Sequence, residues 1–147
     1  LTVHCRTKSD GYKPPAYWEW IAKIKEKTKI KIVANGEIWN LEDYNKCKSI
    51  TQAESFMIGR AALRDPFLFQ KIKKQTKPEV KLSDIKPLIP SFYDSSCLYR
   101  NESFAVARTK NWMKQLSYSY LEFHDIFEEV KVITEPKDFK NRIEALL

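Results

Sequence analysis

Three short apolar runs, each followed at once by polar residues, restrict the possible folds of this chain more than any other feature. The runs cover residues 1–5, 30–34 and 55–58, and predicted helices at 16–27 and from Leu41 onward separate them. Their polar ends, at His4, Asn35 and Gly59, follow one another at intervals of 31 and 24 residues. This spacing is typical of successive strand–helix units. The sequence therefore predicts parallel strands that alternate with helices.

Two local signals predict where helices begin. Asn40 precedes Leu41 and can cap a helix whose first turn carries two acidic residues, where the helix dipole favours negative charge. Asp65 and Pro66 form the Asp-cap, Pro-first pattern that opens many helices, so we expect another helix to start there.

The alternation stops after a Lys- and Pro-rich segment at residues 75–82, which reads as a linker. Beyond it, the pattern predicts helices at about 82–94, 102–121, 123–131 and 136–146, with breaks at residues 94–96 and 135–136. We therefore expect an α/β part at residues 1–77, followed by an all-helical part at residues 78–147.

The polar residues at the strand ends predict a ligand site. Parallel strands joined by right-handed crossovers point their carboxyl ends the same way. In a (β/α)8 barrel that rim carries the active site, and the last loops often bind phosphate. Gly36 and Gly59 would allow close backbone approach, and Arg60 offers paired donors to a phosphate. His4 and Arg6 lie at the equivalent end of the first strand.

Charge, hydropathy and cysteine usage restrict the function classes. The 147-residue chain carries a net charge of +7, which favours a polyanionic partner such as nucleic acid. No apolar run is long enough to span a membrane, so we expect no membrane partner. The three widely spaced cysteines show no metal-ligand spacing, so we predict no metal site. Free thiols suit a reducing compartment, and the predicted location is the cytoplasm.

Four segments of the sequence together resemble the tRNA-dihydrouridine synthases: LTVHCRTKSDGY, IVANGEIW, FMIGRAAL and VARTKNWMKQLSYSY. The Glu-Ile-Trp form and the helical tail are most similar to the bacterial C-type subfamily. The likeness covers essentially the whole chain, as the C-terminal portion of such an enzyme. Cys5 is a departure, because glycine is usual there in this family.

The resemblance implies an oxidoreductase that modifies tRNA: a TIM barrel that binds FMN, followed by a helical bundle that binds tRNA. In such enzymes NADPH reduces the flavin, which reduces a D-loop uridine, here uridine sixteen by subfamily. Carried over residue by residue, the implied FMN contacts are His4, Asn35, Gly36, Glu37, Gly59 and Arg60. Glu37 would repel a phosphate, so we expect a sugar hydroxyl or a loop N–H as its partner.

The same resemblance implies tRNA contacts in the helical part. Helix 102–121 carries Ala105, Val106, Met113 and other apolar residues on one arc, with a polar stripe opposite. The residues that match tRNA contacts there and beyond are Arg108, Lys110, Asn111 and Lys131. For Trp112, beside the stripe, packing within the bundle is favoured over stacking on a base. The five lysines between residues 23 and 31 are interpreted as a solvated surface.

No catalytic residue is predicted in this chain, because the cysteine and lysine that the family uses lie in the first half of the barrel. We interpret Cys5 as a buried thiol, since it faces away from His4 on the strand. Three strands cannot close a barrel, so we expect the missing half-barrel or another copy as a partner, and no activity from this chain alone. Two alternatives stay open: a non-catalytic RNA-binding fragment, or another FMN-binding TIM-barrel oxidoreductase.

Overall fold

A computed structural model describes residues 1–11 and 13–146 of the chain. They form two compact units, each described separately below. Unit 1 contains residues 1–62 and 66–77, and unit 2 contains residues 63–65 and 78–147. Unit 1 is mixed α/β, whereas the secondary structure of unit 2 is helical. No helix in the described part of the chain is long and apolar enough to cross a membrane.

Unit 1 is built on a three-stranded parallel sheet in the order β1-β2-β3. The first strand pairs with the second from Thr2 opposite Val33 to His4 opposite Asn35, and the second pairs with the third from Val33 opposite Ser55. Helices connect the strands, as the spacing predicts. The elements are β1 (Thr2–His4), α1 (Trp18–Glu26), β2 (Val33–Asn35), α2 (Leu41–Thr51), β3 (Ser55–Met57), α3 (Arg60–Arg64) and α4 (Leu68–Lys74).

The core of unit 1 lies between the sheet and helices α1 and α2. Ile21 of α1, Ala34 of β2 and Cys47 of α2 are fully buried and belong to one cluster. Cys47 behaves as a small apolar residue there, and burial raises the pKa of its thiol to about 12. The apolar faces of the helices therefore pack on the sheet and leave its carboxyl ends accessible.

Two sequence predictions, on where the second strand and one helix begin, need correction. The second strand begins at Val33 rather than residue 30, and Ile30 is exposed. The helix predicted to open at Asp65-Pro66 starts only at Leu68, with Phe67 at its N-cap. Asp65 instead accepts a hydrogen bond of 2.9 Å from the hydroxyl of Tyr120, which no local pattern could indicate. The cap predicted at Asn40 is confirmed, because its side chain accepts a hydrogen bond from the amide of Asp43.

Unit 2 is a set of helices packed around fully buried aromatic and aliphatic side chains. Tyr93, Phe123 and Phe139 come from three different helices and are among the largest buried residues. The helices are α5 (Leu82–Ile85), α6 (Leu88–Tyr99), α7 (Glu102–Leu116), α8 (Glu122–Val130) and α9 (Pro136–Glu144).

The predicted break at residues 94–96 is wrong. Helix α6 continues through it to Tyr99, because the hydroxyl of Ser96 donates to the carbonyl of Phe92 one turn earlier. This intrahelical bond satisfies a side chain that would otherwise favour a turn. Helix α7 is also shorter than predicted and ends at Leu116.

Candidate functional site

A cavity of about 160 Å³ opens at the carboxyl ends of the three parallel strands. The loops that follow β1, β2 and β3 form its walls, as expected where the strands of a parallel sheet end together. All six residues carried over as FMN contacts line this cavity: His4, Asn35, Gly36, Glu37, Gly59 and Arg60. Arg6, Trp39 and Met57 contribute further surface.

The carboxylate of Glu37 is the centre of a polar network in the cavity. Its Oε1 lies 2.8 Å from Nη1 of Arg6, and its Oε2 accepts a hydrogen bond of 2.9 Å from the indole of Trp39. Arg60 approaches the same carboxylate at a longer distance of 3.4 Å. Burial by itself raises the pKa of Glu37. The hydrogen bonds from Arg6 and Trp39 and the two guanidinium charges outweigh burial, so this pKa lies below its usual value.

This network adds to the expected environment of Glu37, for which a sugar hydroxyl or a loop N–H is predicted as the partner. The carboxylate accepts hydrogen bonds from the side chain of Arg6, at the end of β1, and from the indole N–H of Trp39, two positions along the same loop. The side chain of Arg6 is 1% exposed, and its Nη2 is buried without a hydrogen-bond partner among the described residues. A buried guanidinium needs a counter-charge, and Glu37 supplies it. The negative charge at the rim is therefore compensated from within the protein.

Compensation of Glu37 leaves the cavity with a net excess of positive charge. Arg6 and Arg60 contribute two cations against one carboxylate, and Arg60 remains about half exposed. The guanidinium of Arg60 also stacks over the ring of Trp39, 4.9 Å from its centroid, which orients the charge. A phosphate group is the kind of ligand that this set of donors fits.

Asn35, the last residue of β2, forms hydrogen bonds to both neighbouring strands. Its side-chain nitrogen donates a hydrogen bond of 2.7 Å to the carbonyl of Met57 on the neighbouring strand. Its own carbonyl accepts from the amide of Cys5 on the other neighbour, at 3.2 Å. The residue thus ties the ends of all three strands together.

Gly36 occupies a position that no other residue can take without strain. Its φ is +125°, and a Cβ added there would lie 2.5 Å from the sulfur of Cys5. The indole of Trp18 donates a hydrogen bond of 2.9 Å to the Gly36 carbonyl. Gly59 differs, because a Cβ there would meet no protein atom within 4 Å.

Cys5 is a structural thiol, as interpreted from the sequence. It is buried and donates a hydrogen bond to the carbonyl of Asn35, and burial raises its pKa. A thiol held in its protonated form and enclosed by the core is a poor proton donor to a ligand at the rim.

The four predicted tRNA contacts differ in exposure. Arg108 and Asn111 are exposed on α7, and Lys131 is exposed at the end of α8, where it pairs with Glu128. Lys110 instead points toward the end of α8, where its amine donates to the carbonyls of Lys131 and Ile133. Desolvation at that position lowers the pKa of Lys110.

Trp112 packs within unit 2, as favoured from the sequence. Its ring lies 4.5 Å from that of Phe92, and its indole donates to the carbonyl of Leu63 at 3.0 Å. The ring contact and the indole hydrogen bond of Trp112 are therefore both made within unit 2.

Sequence reasoning missed Trp39 as a residue that organises the cavity, and it missed the pairing of Arg6 with Glu37. Arg6 was visible as a second basic residue at the end of β1, but its partner lies 31 positions away. Trp39 gave a weak signal, as an aromatic residue two positions after Glu37.

Comparison with known proteins agrees with the motifs. The sequence profile of the dihydrouridine synthase (Dus) family matches residues 1–143. The chain belongs to the dihydrouridine synthase family. Family members have a TIM-barrel fold, and the chain's parallel sheet with alternating helices is consistent with part of one.

Individual relatives carry the name tRNA-dihydrouridine(16) synthase. The chain is 38% identical over 139 residues to the protein of Pseudomonas syringae pv. tomato, which covers 92% of the chain and 44% of that relative. It is 39% identical over 132 residues to the protein of Shewanella oneidensis, covering 90% and 42%. It is 32% identical over 151 aligned positions to the protein of Neisseria meningitidis serogroup A, and this alignment covers 99% of the chain and 45% of that relative. The chain therefore spans less than half the length of these relatives.

Proposed function

We propose that the chain is the C-terminal portion of an FMN-dependent tRNA-dihydrouridine synthase that reduces uridine 16 of the D-loop at the expense of NADPH. Residues 1–77 would be the last strand–helix units of its TIM barrel, and residues 78–147 its tRNA-binding helical domain. The observation that carries the proposal is the single cavity lined by His4, Asn35, Gly36, Glu37, Gly59 and Arg60.

The chain's own residues would bind and orient the phosphate end of the flavin. Arg60 and His4 provide the positive and hydrogen-bonding groups, and the open space at Gly59 admits the ligand next to the backbone. Arg6 neutralises Glu37, so that the carboxylate does not repel an anion and instead holds Trp39 and Arg60 in place. FMN bound here would supply the hydride chemistry for reduction of the uridine ring.

The helical unit would bind the tRNA backbone. Arg108, Asn111 and Lys131 are exposed on it, and the chain carries a net charge of +7. Phosphate contacts of this kind give affinity without sequence choice. Lys110 is the least accessible of the four proposed contacts, because its amine is hydrogen-bonded to two carbonyls.

We also propose that the rest of the barrel, or a second copy of the chain, covers the edge of β1. Leu1 and Trp20 are 63% and 59% exposed beside that edge. An apolar surface next to an unpaired strand edge is suited to another strand–helix unit. We assign no catalytic residue to this chain and expect it to be inactive alone.

Titration of FMN into the chain tests the proposed cavity, with quenching of flavin fluorescence as the measurement. We expect FMN to bind more tightly than riboflavin, which lacks the phosphate. Gly59→Leu should weaken FMN binding at least about tenfold, because the leucine side chain would occupy the cavity. The substitution should leave the fold intact, because no protein atom lies within 4 Å of a Cβ added at this position. The matched control is Lys29→Ala, an exposed cation before β2.

Equal FMN affinity in the wild type, Gly59→Leu and the control would refute the flavin site. In that case tRNA binding without flavin would favour the RNA-binding fragment, and flavin binding without tRNA binding would favour another FMN oxidoreductase. Dihydrouridine formed from unmodified tRNA by this chain with FMN and NADPH would contradict the proposed inactivity.

A further inference from the structure

A cluster of aromatic rings and arginines lies at the corner between helices α6 and α7. The guanidinium carbon of Arg108 is 5.5 Å from the ring centroid of Phe92, 6.0 Å from that of Tyr99 and 5.8 Å from that of Phe104. Arg100 lies 5.7 Å from the Phe104 ring on the same corner. Two cations thus share one aromatic surface. We call Leu98, Tyr99, Arg100, Phe104 and Arg108 the Tyr99 patch.

The apolar members of the Tyr99 patch are unusually accessible to solvent. Leu98 is 91% exposed and Tyr99 is 78% exposed, at the last turn of α6. Single exposed apolar residues are common on protein surfaces. Here, however, the exposed ring lies 6.0 Å from the Phe104 ring and next to two guanidinium groups. The patch therefore combines a flat apolar surface with concentrated positive charge.

The positive charge of the patch is not paired within the protein. Across residues 1–11 and 13–146, neither Arg100 nor Arg108 forms a salt bridge or a side-chain hydrogen bond. Glu102, in the first turn of α7, is the carboxylate nearest in sequence. The guanidinium groups are held by ring faces and keep their N–H donors available. An apolar protein partner or a second copy of this basic chain would have to desolvate these charges without a partner.

An unpaired nucleotide has the complementary chemistry, because a base offers a π-face and the adjoining phosphates are anionic. We propose that the Tyr99 patch binds one unpaired nucleotide of the tRNA, with the base stacked on Tyr99 and the phosphates held by Arg100 and Arg108. The proposal rests on the proposed function, because it adds a stacking site to the helical unit assigned there to tRNA. It is independent of the flavin site.

The test measures the affinity of the whole chain for an unmodified tRNA transcript and for a short single-stranded oligouridine, by fluorescence anisotropy. Tyr99→Ala should weaken binding by between about 5-fold and 150-fold, the range for loss of one stacked base. Tyr99→Phe should bind like the wild type, because it keeps the ring. The matched control is Leu121→Ala, which removes an apolar side chain that is 84% exposed elsewhere in unit 2.

A second measurement separates stacking from charge. Arg100→Ala should reduce the slope of log Kd against log salt concentration by about 0.7, whereas Tyr99→Ala should leave the slope unchanged. Lys137→Ala, an exposed cation on α9, is the control and should change the slope less. Because both patch residues are exposed, circular dichroism should show folded variants.

Each outcome decides between the two proposals. If the wild type binds tRNA and Tyr99→Ala behaves like Leu121→Ala, the Tyr99 site is refuted while the proposed function stands. If the wild type binds neither RNA, both are refuted. If the wild type self-associates, Tyr99→Ala abolishes that association and RNA affinity does not change, the patch is an interface between copies and the nucleotide site is refuted.

Discussion

Replacement of Gly36 by alanine tests the packing beneath the cavity directly. A Cβ at this position would lie 2.5 Å from the sulfur of Cys5 and 3.5 Å from the imidazole of His4. The sulfur cannot move away freely, because Cys5 is only 4% exposed and is hydrogen-bonded to Asn35. The backbone adds a second penalty, since φ is +125°, where L-residues are strained.

The two penalties have separate magnitudes. Backbone strain of this kind costs about 1–3 kcal/mol. Overpacking of one methyl group into a closed site costs about another 1–3 kcal/mol. We therefore expect Gly36→Ala to lower the free energy of unfolding by about 2–6 kcal/mol. Gly59→Ala should change it by less than about 1 kcal/mol, because no protein atom lies within 4 Å of its added Cβ.

Urea denaturation followed by tryptophan fluorescence measures these effects, and Trp18 reports locally because its indole binds the Gly36 carbonyl. A double-mutant cycle with Cys5→Ala separates the two penalties. Removal of the sulfur should recover about 1–3 kcal/mol of overpacking and leave the backbone strain. The reasoning fails if Gly36→Ala is as stable as Gly59→Ala, or if the two sites show no coupling.

Three further predictions concern hydrogen bonds and charges. Glu37→Gln should destabilise the chain by about 3 kcal/mol at pH 7, because it leaves the buried Arg6 without its counter-charge. Because the pKa of Glu37 in the folded chain is lowered, its contribution to stability is present above pH 4.5 and is lost as the pH falls from 4.5 through the folded pKa. The free energies of unfolding in urea of the wild type and the variant should therefore become equal in acid. Lys110→Met should lower the free energy of unfolding by about 1–2 kcal/mol, because the carbonyls after α8 lose their hydrogen-bond donor. It should weaken tRNA binding less than Arg108→Ala does, and an equal loss of affinity in the two variants would contradict this. Tyr120→Phe should cost about 1–2 kcal/mol in thermal unfolding, because Asp65 loses its hydroxyl donor, and an unchanged melting temperature would disprove the role of that bond.

The cavity was predictable from the sequence because its residues follow strands, and strand ends obey a topological rule. His4, Asn35 and Gly59 are far apart in sequence, yet parallel connection places them on one rim. The rule needs only the identification of three apolar runs and the helices between them. It does not depend on any contact between particular side chains.

What could not be predicted were pairings between residues distant in sequence. Arg6 and Glu37 are 31 positions apart, and Asp65 and Tyr120 are 55 positions apart. Local patterns gave Asp65 a plausible role as a helix cap, but the helix begins three residues later. A residue such as Asp65 is compatible with more than one local structure, and tertiary packing decides which of its possible hydrogen bonds forms.

The Asn-Gly-Glu segment shows how these two levels combine. Asn35 links the ends of the strands, Gly36 leaves space for the Cys5 sulfur and accepts a hydrogen bond from Trp18, and Glu37 neutralises Arg6. Each residue type is therefore required by a different neighbour, and none of these requirements involves a bound ligand. The protein organises the rim in advance, which would lower the cost of ordering it on binding of the proposed anion. A strand that ends in an amide, a glycine and a carboxylate thus meets three structural needs at the mouth of the cavity: the amide ties neighbouring strands, the glycine leaves room for the Cys5 sulfur, and the carboxylate compensates the two guanidinium groups.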